Sequence, residues 1–150
     1  MSTEMIVAAN AARARLFRRG AVGEPLVEVV TLVHPQSRQV GHDLAADRMG
    51  HGEADRRGGG GTAYEPKTDV RRKEHEHFAR EVAQRLKGGL HAGEFERWVL
   101  FASSPFLGEL KAALDAELQR SLHAAIDLDL TSYGLPEVDE RARTALRERP

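Results

Sequence analysis

The chain has 150 residues, room for one compact domain. It contains no cysteine, which excludes disulfides, thiolate metal sites and a cysteine nucleophile together. Its 41% hydrophobic and 30% charged residues, with a net charge of −1, are globular values and exclude a chain too polar to fold.

Met5–Ala9 is a short apolar run that predicts a first strand. Arg13–Arg18 follows the break at Asn10, with Ala14 and Leu16 alternating against Arg13 and Arg15 as in a half-buried strand. After a turn at Gly20–Pro25, the β-branched run Leu26–Val33 predicts a third strand. Three strands on short connections favour an antiparallel meander.

From His34 to Asp69 neither period is visible, and the stretch reads as a long loop. Six of the twelve residues from Gly50 to Gly61 are glycine, so this segment offers no core of its own. Regular patterning returns with Phe78, Val82 and Leu86, flanked by Ala79 and Ala83, a helical stripe that Gly88 and Gly89 are expected to stop. Trp98–Ala102 predicts a strand covered on both faces. Ser104-Pro105 reads as an N-cap and first helical residue, opening a helix from Phe106 to Leu118. Ala124–Leu130 predicts a last strand and Pro136–Arg147 a closing helix.

The predicted order is β-β-β-α-β-α-β-α. Right-handed crossovers place the last two strands parallel to the first, giving a mixed five-stranded α/β sheet with helices packed on it, a ribonuclease-H-like arrangement. One domain spans 1–150, with its glycine-rich loop at about 34–69.

Charge is unevenly spread. Residues 56–73 hold six basic side chains (Arg56, Arg57, Lys67, Arg71, Arg72, Lys73) against Glu65 and Asp69, whereas residues 74–150 carry ten basic and fourteen acidic ones. A basic island in an acidic chain suits a local anion site, or a solvated loop.

Most catalytic chemistry finds no support. Two-metal nucleases need carboxylates at the central strand ends, where this chain offers Asn10, Ser103 and Ser104. His75 and His77 stand two apart and point to different sides of a helix. His42, Asp47, His51 and Asp55 show no recognised ligand spacing, so no metal is expected. The glycine run lacks the Lys-Ser/Thr ending of a nucleotide-binding loop, so no nucleotide cofactor is expected. The segment Arg56-Arg57-Gly58-Gly59-Gly60-Gly61 stands out: bare backbone enters narrow spaces and flanking arginines bind phosphate.

Two resemblances attach to these residues. Ala12-Arg13-Ala14-Arg15-Leu16-Phe17, His34-Pro35-Gln36-Ser37-Arg38, Asp43-Leu44, Asp47-Arg48, Glu65-Pro66-Lys67-Thr68-Asp69, His75-Glu76-His77-Phe78-Ala79, Pro105-Phe106-Leu107-Gly108 and Asp129-Leu130-Thr131 resemble, in order, the bacterial family of proteins required for attachment to host cells. From about Arg57 onward the chain is similar to the middle domain of archaeal and eukaryotic peptide-chain release factors. There a ribonuclease-H-like core carries a Gly-Gly-Gln loop into the peptidyl-transferase centre. Arg57-Gly58-Gly59 matches the start of that loop, and Gly60 stands where the glutamine would be, leaving a backbone N–H and no carboxamide.

The resemblance implies a ribosome- or tRNA-associated factor in rescue, quality control or stasis. Arg56, Arg57, Lys67, Arg71, Arg72 and Lys73 would be its RNA contacts, and Gly58, Gly59 and Gly60 its loop tip. Peptidyl-tRNA hydrolysis through the Gly60 N–H is an alternative. A second is an envelope or surface factor for attachment, and a third is a protein-interaction domain. No apolar run approaches the roughly 20 residues of a membrane span, and the opening Met-Ser-Thr-Glu resembles no secretory signal. The expectation is a cytoplasmic protein.

Overall fold

A computed structural model describes residues 3–20, 24–34 and 64–148, with side chains from residue 69 onward in the last stretch. Strands β1 (Glu4–Ala9), β2 (Arg13–Arg19) and β3 (Val27–Val33) come first. Helix α1 (Tyr64–His91) leads to β4 (Arg97–Ala102). Helices α2 (Phe106–Ala113) and α3 (Ala116–Ser121) lead to β5 (Leu122–Asp127), and α4 (Leu135–Arg147) closes the described chain.

The sheet order is β3-β2-β1-β4-β5. β2 runs antiparallel to both β1 and β3, while β4 is parallel to β1 and to β5. The expected mixed five-stranded sheet is therefore present. β1 and β4 sit at its centre, and Met5 to Ala9 and Trp98 to Ala102 are fully buried, as unbroken apolar runs require.

Alternation sorts these side chains onto two faces. Met5, Val7, Trp98 and Leu100 point to one, where α1, α2 and α3 cover them with Phe78, Val82, Leu86, Phe106, Leu110 and Leu118. Ile6, Ala8, Val99 and Phe101 point to the other, covered by Val138 and Ala142 of α4 with Leu130. Each large apolar side chain buried this way contributes about 1.5–3 kcal/mol. The Trp98 indole donates to the Leu118 carbonyl at 3.0 Å, so its one polar atom is satisfied inside the core.

Several expected boundaries differ. α1 starts at Tyr64, inside the stretch read as loop, and passes through Gly88 and Gly89 to His91. Gly89 serves close packing: a Cβ there would stand 2.8 Å from a Glu94 carboxylate oxygen and 3.1 Å from the Phe95 ring. The reversal falls at Gly93, with φ +79°.

The helix expected from Phe106 to Leu118 is two helices. The backbone turns extended at Leu114, and the Asp115 carboxylate accepts from the Leu118 N–H at 2.9 Å, capping α3. β5 begins at Leu122 and ends at Asp127, earlier than expected at both ends.

Candidate functional site

β1, β3, β4 and β5 share one direction, so their carboxyl ends line one edge of the sheet, the edge where open α/β sheets bind ligands. Asn10 follows β1, His34 follows β3, Ser103 and Ser104 follow β4, and Asp127 ends β5. These residues come from separate parts of the sequence and meet only through the topology.

Asn10 is fully used. Its Oδ1 accepts from the Ala12 N–H at 2.8 Å and the Arg13 N–H at 3.0 Å. Its Nδ2 donates to Asp129 Oδ2 at 3.1 Å and to Thr131 Oγ1 at 3.0 Å. Asp129 Oδ1 accepts from the Thr131 N–H at 2.9 Å and its hydroxyl at 2.6 Å. Burial alone would raise the Asp129 carboxyl, but the Thr131 bonds, Asn10 and the Arg13 charge together hold it below the usual carboxylate range. Arg15 completes this clasp. Its guanidinium donates to the Thr131 and Tyr133 carbonyls at 3.0 and 2.6 Å and grips both Glu28 oxygens at 3.1 and 2.9 Å.

Ser104, expected to cap α2, makes no such bond; Pro105 holds the cap position. Its hydroxyl donates instead to Asp127 Oδ2 at 2.7 Å, tying β4 to β5. Among the described residues, no group of three or more His, Asp or Glu side chains is arranged to hold a metal ion. His42, Asp47, His51 and Asp55 lie outside the described residues.

His34 is 1% exposed and stacks on Phe78, with ring centroids 5.2 Å apart, and Phe78 in turn meets Phe106 at 5.7 Å. Its Nε2 has no hydrogen-bond partner. Burial pushes this imidazole below its ordinary range; His75 and His77 add to the push, while Glu74 and Glu81 oppose it. One turn before Phe78, His75 Nδ1 lies 3.6 Å from Glu109 Oε1. Burial pushes the Glu109 carboxyl up, helped by Glu76 and resisted by His75 and Arg72.

Among the described residues Phe78 is the first fully buried one of α1, and it sits at the carboxyl edge between His34 and Phe106. The helix runs against the neighbouring parallel strands, so the residues from Tyr64 up to His75 extend past that edge at a rise of about 1.5 Å per residue. Arg71, Arg72 and Lys73 lie on this extension, exposed and without an ion pair among the described residues. Lys67 falls in the same helix, its side chain outside the described residues. Arg56, Arg57, Gly58, Gly59 and Gly60 also lie outside them.

Sequence reasoning missed the Asn10–Asp129–Thr131 clasp and the burial of His34. Asp129-Leu130-Thr131 is a side-chain turn signature, but nothing local pairs it with Asn10.

The molecule is a mixed α/β protein with a pinned polar sheet edge and a basic helix end projecting past it. The chain belongs to the family of proteins required for attachment to host cells, which it matches over residues 5–141, from β1 into α4. No curated protein matches it. No helix among the described residues is long and apolar enough to cross a membrane.

Proposed function

We propose that this protein is a cytoplasmic, RNA-associated factor acting on the ribosome or tRNA. One observation carries the reading: the extension of α1 beyond the sheet bears Arg71 and Arg72 exposed and without ion pairs among the described residues. In sequence it directly follows the Arg56-Arg57-Gly58-Gly59-Gly60-Gly61 run. Exposed cations that follow a glycine run in sequence suit phosphate contacts, which dominate affinity for nucleic acid.

The strand order β3-β2-β1-β4-β5 with one antiparallel strand supports the ribonuclease-H-like reading. It is consistent with a likeness to the middle domain of release factors, whose glycine-rich loop works inside the ribosome. In this reading Lys67 and the arginines hold RNA, Gly58, Gly59 and Gly60 form the tip, and attachment to host cells is an indirect outcome of a role in translation. With Gly60 in place of a carboxamide, the activity is binding.

The test is co-sedimentation with ribosomes at moderate salt, with and without ribonuclease. The quadruple Arg56, Arg57, Arg71 and Arg72→Ala variant is expected to stay in the supernatant. Equal recovery of both proteins in the ribosomal pellet, or a pellet fraction indifferent to salt, would sink the reading.

A further inference from the structure

We infer that the projecting part of α1 holds RNA by its underside: Arg71 and Arg72 grip a phosphodiester backbone irrespective of base sequence, and Lys73 takes no part. The inference rests on the RNA-binding reading above and narrows it to particular residues and one ligand class.

Helical phase separates the three cations. Residues 7 or 11 apart on an α-helix lie within about 20° of the same line along its axis. Arg71 is in that relation to Phe78 and Val82, and Arg72 to Ala79 and Ala83, all four buried against the sheet side. The stripe that is apolar over the domain therefore becomes doubly basic once it passes the edge. His75, in phase with Val82 and Leu86, marks the crossing, since it still reaches Glu109 on α2. The charge of Arg72 is also felt at Glu109. One turn further out Arg71 and Arg72 are exposed.

Lys73 is in phase with Arg80 and Gln84, both exposed on the outer flank. A polyanion lying under the ledge meets the two guanidinium groups, while Lys73 stands on the outer flank away from it.

The scarcity of Phe, Tyr and Trp argues for what is read. Residues 35–63 contain no Phe, Tyr or Trp, and Tyr64 is the single such residue between 35 and 77. Every Phe and the one Trp are buried in the core, and Tyr133 lies under Arg141, whose guanidinium carbon is 4.2 Å from the ring centroid. Sequence-reading of single strands relies on splayed bases stacked on exposed rings. Arginine contacts to phosphate carry no base information.

The experiment titrates end-labelled oligo(U) and oligo(A), each about 12 nucleotides and within single-strand site sizes, with the full chain across a sodium chloride series. Arg71→Gln and Arg72→Gln are each expected to weaken binding about 5- to 10-fold and to lower the salt slope by about 0.7. Lys73→Gln should stay within about 2-fold, and the two oligonucleotides should bind alike. All three side chains are exposed, and an unchanged melting temperature verifies each variant's fold. A loss at Lys73 equal to that at the arginines, or a tenfold preference between the oligonucleotides, overturns the inference while leaving the RNA reading standing. Failure of the unaltered protein to bind either overturns both.

Discussion

The two halves of α1 share one unbroken helix and differ in everything that surrounds them. From Phe78 to Leu90 the inner face carries Phe78, Val82 and Leu86 at complete burial, packed on β1, β2 and α2. Before Phe78 the same face carries His75, half-buried against Glu109, then Arg72 and Arg71, both exposed. Helix formation is thus set by the docked half, and the projecting half is carried along as its continuation. The charges in the projecting half are available to a partner because folding does not consume them, unlike Arg15, Arg19 and Arg97, which are tied to acidic neighbours.

Substitutions on either side of Phe78 should therefore behave differently. The largest effect is expected at the boundary: Phe78→Ala removes the ring that joins His34 to Phe106 and should cost about 3–5 kcal/mol in denaturant unfolding. Asn10→Ala removes four hydrogen bonds from the clasp and leaves Asp129 with fewer donors. A loss of about 2–3 kcal/mol is expected, read from the same curves. A loss below about 0.5 kcal/mol would mean that the Asp129–Thr131 turn holds without it.

A smaller, pH-dependent effect belongs to His34. Its folded pKa lies below the free value of 6.5, so the unfolded chain takes up the proton first. The stability that its neutral ring supports is complete above pH 6.5 and drains as pH falls toward the folded pKa. Glu109 works in the opposite direction, since a carboxyl with a raised folded pKa favours the folded state as pH falls. The two partly cancel in the unaltered protein. The stability difference between it and His34→Leu isolates the first, and should shift against the unaltered protein between about pH 7 and 5. The groups around the ring, Glu74 and Glu81 with His75 and His77, set how far. A difference flat in pH would show that the ring takes up its proton as readily in the folded protein as in the unfolded chain.

The smallest effect on stability is expected in the projecting half. Arg71→Ala, Arg72→Ala and Lys73→Ala should each change the unfolding free energy by less than about 0.5 kcal/mol, as for surface positions without partners. A larger loss would show that these side chains are part of the fold.

This contrast also explains which features could be read from the sequence. The strands of the sheet centre are readable because Met5–Ala9 and Trp98–Ala102 are apolar without interruption, and hairpin-length connections fix their neighbours. The helix ends are not. Gly89 is a packing residue against Phe95, Ser104 gives its hydroxyl to Asp127 across the sheet, and Asp115 starts a new helix where the apolar stripe continues. For Gly89 and Ser104 the deciding partner is another side chain, Phe95 and Asp127, whereas Asp115 caps through the Leu118 N–H three residues on. Asn10 is the extreme instance, with partners at Asp129 and Thr131 near the other end of the chain. The basic island was visible as composition, but its division into an underside and an outer flank needs the buried stripe as a reference.

The single-piece construction of α1 has a mechanical meaning. Its backbone ladder runs from Tyr64 to His91 without a joint, so a load taken at the tip acts as torque about the point where Phe78 enters the core. Cargo caught out there would be sensed at the His34 ring and along the amides of the docked turns, whose deuterium uptake should slow in step with it.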